Sequence, residues 1–455
     1  MTEKKEFEGI WFLPSNKEEK LRGILSFHSE RGSTLKLIGG FNSKNFNEEI
    51  IQGFANGGIE ITLNKCTLIH PLGDTVYSVS RIFEGVLIDA ESEIKFQEIA
   101  SEIYNLNEWT GISGLKFPDS SFIYPIKEIN ISYKRPEPIN FQINENFNGQ
   151  FKFILNPISW GSCITEVSLK QRVEVIISSK NEYTLKTLLY YVLKFQNFLI
   201  IGLYKSTYPS SISLFSDNFM EKNYSDDTLK RKKIKLYYPI SYRSESKTPI
   251  STIQMLFCYE DIKDSFSTII HNWYEKYDLW EPVFNLLFEQ FYFKKVLTNK
   301  FLNLAQAVES FHERTIDHPR IPEEENKRNK QEILALVPNK YHEWLKGQFN
   351  NYLFLETRLS ELISKYPHKI LDKIIDNKKL FVSQIKDSRN YYTHYKAENK
   401  EKAVSGVNLF HLSEKLKILL IYILLVEIGF DEEKLQIVLE RYWQKHAHLV
   451  IHQKL

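Results

Sequence analysis

The chain is short of cysteine. Its 455 residues hold three, Cys66, Cys163 and Cys258, with no Cys-x-x-Cys pair and no clustered ligands beside them. That excludes a disulfide-stapled secreted scaffold and a zinc ribbon, and it suits a reducing compartment. Long apolar runs are missing too. The most apolar one, 418–426, is bounded by Lys417 and Glu427. It is shorter than the ~20 residues a membrane-crossing helix needs, so it reads as a buried helix. Met1 to Glu6 is polar and charged, with no apolar signal-peptide core behind it. The expectation is a cytoplasmic protein without membrane contact. Nor is there an excess of one charge: Lys plus Arg is 59, Asp plus Glu is 57, and the formal net charge is +2. A bulk electrostatic binder of nucleic acid is therefore excluded, and any RNA contact must rest on a local patch.

Aromatic residues are abundant, with 31 Phe and 25 Tyr. The length allows two or three domains with substantial cores. The pattern changes near Tyr259. Before it, short runs rich in Ile, Val, Phe, Tyr and Thr are separated by Gly, Asn, Ser and Asp, which predicts strands at 24–27, 34–38, 59–63, 76–82, 122–132, 151–155 and 166–177. Gly39-Gly40 and Gly57-Gly58 mark turns. Residues 1–259 are thus expected to form an antiparallel sandwich or distorted barrel, with a split into two β units near Pro136–Pro138 as an option. One helix, 182–203, interrupts the strands, and Gly202 is placed to end it. Trp11, Trp109 and Trp160 read as core rather than as a ligand groove. The basic run Lys230, Arg231, Lys232 and Lys233 reads first as a solvated turn and second as a weak RNA or phosphate contact.

From residue 260 to 455 the apolar spacing is helical. Helices are expected at 262–276, 280–295, 301–314, 331–336, 341–366, 370–392, 409–428 and 431–445, with 315–330 as an exposed loop. His446, His448 and His452 suggest a metal site at first sight. His446 and His448 do not share a helix face, however, and no carboxylate or Cys lies beside them. No metal and no cofactor are expected.

The end of the 370–392 helix carries the chemistry. Arg389, Asn390 and His394 put a fixed cation, an amide and an imidazole within six residues, flanked by Tyr391, Tyr392 and Tyr395. An imidazole can take a proton from a ribose 2′-hydroxyl or deliver one to the leaving oxygen. A guanidinium can hold the phosphate and offset its growing charge. Asn390 and His394 share a helix face. Arg389 and His394, five residues apart, are rotated by ~140° on a continuous helix. Either the helix ends near Tyr392, or the working site combines two copies, and the second is favoured. Glu309, one helix away, is a candidate to orient His394 or pair with Arg389. His312 reads as structural. Spacing alone carries little, since Arg441 and His446 repeat it.

The context of Arg389 to His394 resembles the HEPN superfamily, whose signature is an Arg, a polar residue and a His near the end of a long bundle helix. With the stretch Phe301 to His312, like the first helix of such a bundle, and Gly9 to Pro14, like the opening of the N-terminal domain, the chain resembles the ApeA family of anti-phage proteins. The resemblance implies an α+β multidomain chain with an all-α HEPN bundle at 260–455. It implies metal-independent endoribonuclease chemistry at Arg389, Asn390 and His394; independently of the resemblance, Glu309 is a candidate support by its charge, and Tyr391 and Tyr395 are candidates to stack on bases. It also implies a homodimer or higher even-numbered homo-oligomer, RNA as substrate with tRNA foremost, a β-rich domain that senses a phage-derived trigger or restrains the nuclease, and abortive infection as the outcome. The alternative is a non-catalytic helical scaffold with a β domain that binds a protein or nucleotide. A metal-dependent hydrolase ranks third, for want of a compact ligand set.

Overall fold

A computed structural model describes residues 4–42, 45–70, 73–116, 130–156, 167–223, 227–239, 249–316 and 318–451, without the side chains of 446–451. Trp160, most of the expected strand at 122–132 and His452 lie outside the described residues, as do the side chains of His446 and His448. The chain divides into two compact units, Met1–Tyr274 and Glu275–Leu455. The division falls inside the helix Phe266–Tyr277 rather than at the change of pattern near Tyr259.

The first unit is built on antiparallel pairing. Six strands come first: β1 (Lys4–Leu13), β2 (Asn16–His28), β3 (Gly32–Leu37), β4 (Asn47–Ala55), β5 (Ile59–His70) and β6 (Thr75–Glu84). They pair in the order β6–β3–β2–β1–β4–β5, and β5 pairs back to β6, so the ring closes into a barrel. Gly57 and Gly58 turn β4 into β5 at φ +85° and +75°, a region glycine enters without a Cβ penalty. Alternate residues point inward, and Trp11, Leu25, Leu35, Leu63 and Val79 fill the interior.

Strand β6 then does double duty. Its residues 75–79 pair with β3, while Ile82, Phe83 and Glu84 pair with the strand Ile234–Tyr237. From there an open sheet runs on through Pro209–Phe215, β7 (Lys95–Ile103), Gln171–Thr184, Asn148–Leu155 and Ile139–Gln142. Strands from both sides of Pro136–Pro138 share this one sheet, so the split into two β units does not occur. Long-range pairing overrides the local proline signal.

Packed with the sheet, the helix Leu185–Leu203 opens on Thr184, whose hydroxyl accepts from the Thr187 amide at 3.3 Å. Gly202 does not end this helix; Tyr204 caps it at φ +50°. A Cβ on Gly202 would lie 2.6 Å from the Trp109 indole nitrogen, so the glycine is there for close packing. Trp109 is fully buried amid Phe151, Phe195, Phe198, Phe257 and Phe266, and Trp11 is also fully buried.

The second unit is helical. Its central helix, Gly406–Glu427, is apolar all round from Ile418 to Leu425 and buried accordingly, as the run at 418–426 requires. Leu297–Thr315, Leu355–Lys365 and Lys378–His394 are the helices that matter for the site. Pro282 sits in the first turn of Glu281–Tyr292, where its missing amide costs nothing.

Three expectations need correction. The segment 315–330 is not all loop: a helix, Glu323–Leu336, starts within it, and three glutamates in its first turn favour the positive end of the helix dipole. The helix expected over 341–366 breaks into His342–Gln348 and Leu355–Lys365. Between them the Asn351 side chain bonds the Ile321 amide and carbonyl at 3.1 and 2.9 Å, and such local bonds compete with helix formation. The helix expected over 370–392 is two, Lys369–Ile375 and Lys378–His394. Asp376 takes φ +59°, and the Asn377 side chain accepts from the Leu380 amide at 3.0 Å to start the second.

Near the end of the central helix, the Glu427 carboxylate accepts from Tyr366 at 2.7 Å and from Lys276 at 3.0 Å. Partial burial alone would raise its pKa, but these two hydrogen bonds and the nearby cations outweigh it and hold the group below the usual carboxylate range. A depressed carboxylate stabilises the fold at pH values above its unfolded pKa, and that stability disappears as pH falls through the lower folded value. Replacing Glu427 by Gln should therefore flatten the acid limb of stability for the second unit. Urea midpoints measured from neutral pH down to pH 3 check this, and equal acid sensitivity of variant and wild type refutes it.

Candidate active site

The motif helix buries one stripe. Phe381, Ile385, Ser388 and Tyr392 are all buried, spaced by four, three and four residues, so they form a single face. Ser388 is the polar member, and its hydroxyl accepts the Val404 amide at 3.0 Å. The Tyr392 hydroxyl donates to the Val404 carbonyl at 2.8 Å. These two bonds tie the following loop back onto the helix. Burial raises the Tyr392 phenol, and the neighbouring Tyr391 and Tyr395 add to this, so it stays protonated.

That rotation turns Asn390 and His394 away from the core. The helix runs without a break to His394, and Tyr395 caps it at φ +50°, with its amide donating to the Tyr391 carbonyl at 2.5 Å. It does not end near Tyr392, so Arg389 and His394 keep their wide angular separation within one chain. His394 is exposed and has no hydrogen-bond or ion-pair partner among the described residues.

Arg389 is half-buried. One terminal nitrogen lies 3.4 Å from the Glu309 carboxylate, and the other donates to the Asn390 side-chain oxygen at 3.4 Å. Of the two roles open to Glu309, the one observed is the pairing with Arg389. The Glu309 backbone carbonyl is held by buried Arg358 at 3.3 Å. Tyr391, Tyr392 and Tyr395 form an aromatic cluster with ring centroids 5.1 to 6.2 Å apart, and Tyr395 is its exposed member. Phe301 touches Tyr392 from the Leu297–Thr315 helix.

The remaining candidates fall elsewhere. His312 is fully buried and bonded to Glu361 at 2.7 Å, a contact the helical spacing of the sequence does not reveal. In the first unit Lys230 pairs with Glu221 at 3.3 Å, Arg231 with Asp217 at 2.7 Å and Lys232 with Glu60 at 2.5 Å, while Lys233 is exposed. Among the described residues, no group of three or more His, Cys, Asp or Glu is arranged to hold a metal, and no helix is long and apolar enough to cross a membrane.

A bundle helix that carries Arg389, Asn390 and His394 near its end is the arrangement the HEPN resemblance anticipates. Comparison with protein families agrees: residues 302–434 match the Apea-like HEPN family, and residues 6–273 match ApeA N-terminal domain 1. The chain belongs to the ApeA family, a family of anti-phage HEPN nucleases. HEPN domains are generally ribonucleases and commonly dimerise. No curated protein and no solved structure matches the chain.

Val404 supplies a test of the loop anchor. Changing Ser388 to Ala leaves the Val404 amide without its acceptor, at a cost of about 1–3 kcal/mol. Amide hydrogen exchange at Val404 and through the loop should then accelerate while the helix core stays protected. Unchanged exchange would show that the Ser388 bond does not hold the loop.

Proposed function

We propose that this chain is a metal-independent endoribonuclease of anti-phage defence, with Arg389, Asn390 and His394 as its working residues. The observation that carries the reading is the exposed, unpartnered imidazole of His394 at the end of the helix that also presents Arg389. Arg389 binds the scissile phosphate and offsets the charge that builds on it. His394 takes the proton from the 2′-hydroxyl or returns one to the 5′-oxygen that leaves. The 2′-oxygen attacks phosphorus as the bond to the 5′-oxygen breaks, giving a 2′,3′-cyclic phosphate and a 5′-hydroxyl. No metal enters this balance. Asn390 positions the phosphate or the base beside it, Glu309 orients Arg389, and Tyr391 and Tyr395 offer rings on which a base stacks.

The angle between Arg389 and His394 supports a site assembled from two copies. On one unbroken helix they do not face the same phosphate, whereas paired helices bring the Arg of one copy near the His of the other. The reading extends to cellular RNA, with tRNA foremost, as substrate, to abortive infection as the outcome and to the β-rich unit as the sensor of a phage-derived trigger.

The test is RNA cleavage in EDTA by the wild type, Arg389→Ala and His394→Ala, with circular dichroism to verify folding. His394→Ala should lower the rate by about 10²–10⁴-fold, the range that positioned proton transfer supplies, and Arg389→Ala by about 10²–10³-fold, the cost of losing one donor to the developing charge. Products should carry cyclic phosphate ends. Activity that survives both substitutions overturns the assignment, and RNA binding without cleavage by the wild type points to a non-catalytic scaffold. A fully active enzyme that sediments as a monomer overturns the two-copy site.

A further inference from the structure

The first unit contains a cleft that the nuclease reading does not use. Where β6 forks, the strand Ile234–Tyr237 follows the barrel while Pro209–Phe215 follows β7, and the two stay paired only at Ser213–Lys235 and Leu214–Ile234. Beyond that point they diverge and leave a cavity of about 190 Å³. Seams of this kind, at the mouth of a barrel, are common places for small-molecule sites.

Its lining is cationic. Lys5, Arg172, Lys233 and Lys235 border it, against one carboxylate, Glu102. Two of these cations are already matched, Arg172 by Glu102 and Lys235 by Glu84 at 2.6 Å. Lys5 is engaged as well: it donates to the Tyr237 hydroxyl at 2.7 Å and lies over that ring, and the hydroxyl donates its own hydrogen bond to the Glu84 carboxylate at 2.6 Å. Lys233 is exposed and pairs with no described carboxylate. The hydroxyls of Ser211 and Ser213 line the cleft without a hydrogen-bond partner among the described residues, although Ser213 is only 5% exposed. Both hydroxyls open onto the cleft, where a ligand atom can take the place of water. Tyr238 borders the cleft beside Tyr237, whose ring is packed into the barrel core against Phe7 and Phe27.

From this juxtaposition we infer that the cleft binds a small phosphorylated ligand of mononucleotide size. Lys233 meets the phosphate, Ser211 and Ser213 donate to its oxygens, and a base lies against Tyr238. The cavity is smaller than the ~300 Å³ typical of drug-sized pockets, so part of the ligand stays in solvent. The site belongs to the first unit alone and its test reads binding, so it stands apart from the fate of the ribonuclease assignment.

The experiment is calorimetric titration of the full chain with AMP and with inorganic phosphate. AMP should bind saturably, more tightly than phosphate, and less tightly as salt is raised. Lys233→Glu places a carboxylate at an exposed position and should weaken AMP by about tenfold or more, since it reverses a charge-assisted contact. Lys233→Arg should keep the affinity within a few-fold. Saturable binding of neither probe overturns the proposal, as does a Lys233→Glu protein that binds AMP like the wild type. Equal affinity for AMP and phosphate removes the base-recognition half of it.

Discussion

The candidate site depends on the burial of one narrow stripe of the motif helix. Phe381, Ile385 and Tyr392 each gain roughly 1.5–3 kcal/mol from leaving water, and together they set the helix's rotation about its axis. A different rotation would bury the Asn390 amide or the His394 imidazole without partners, at a cost of the same order. The exposed chemistry is thus the complement of the packed face. Ser388 shows how tightly the rule is kept, because the polar member of the stripe is satisfied by the Val404 amide.

The Glu309–Arg389 contact works within that frame and is weak by itself. At 3.4 Å and with Arg389 about a third exposed, it belongs with surface pairs whose worth is about 0–1 kcal/mol. Weakness suits the role proposed for it. A guanidinium locked in a buried pair would have to abandon it before meeting a phosphate, whereas this one is aimed by Glu309 and Asn390 and remains open to a stronger, charge-assisted partner. Arg358 makes the contrast. It is buried, donates to the backbone carbonyls of Leu353 and Glu309 and lies 3.9 Å from the Glu313 carboxylate, so it acts on structure.

What was legible in the sequence was whatever depends on near neighbours or on apolar pattern. The β-to-helix order, the buried run at 418–426, the core placement of Trp11 and Trp109 and the first-turn Pro282 all follow from local rules. The errors have the same origin. Asp376 and Asn377 break a helix whose apolar period runs straight through them, and Glu323 starts one in a stretch whose charge resembles a linker. Gly202 looks like a stop signal and is a packing residue, because its partner Trp109 is far away in sequence. The barrel is the least legible feature. Its closure joins β5 to β6 and its extension joins β6 to Ile234–Tyr237, and neither pairing leaves a trace in a single strand's pattern. At the site, the residue types and the shared face of Asn390 and His394 were readable, but the choice of Arg389 by Glu309 needed the packing of two helices.

The fork in β6 has an energetic consequence of its own. A closed barrel leaves no strand edge unpaired, yet here one strand must also start an open sheet. It does so by dividing one edge, with residues 75–79 given to β3 and 82–84 to Ile234–Tyr237. Two sheets that leave a common strand in different directions must separate, and polar groups at their junction lose water without gaining ladder bonds. The chain answers with side chains: Lys5, Tyr237, Glu84 and Lys235 form a continuous hydrogen-bonded set across the junction. Such a network is worth its desolvation cost only while each member is satisfied. Among the described residues the Ser211 and Ser213 hydroxyls take no part in it, and the topology that opens the cleft leaves both facing its solvent-filled side.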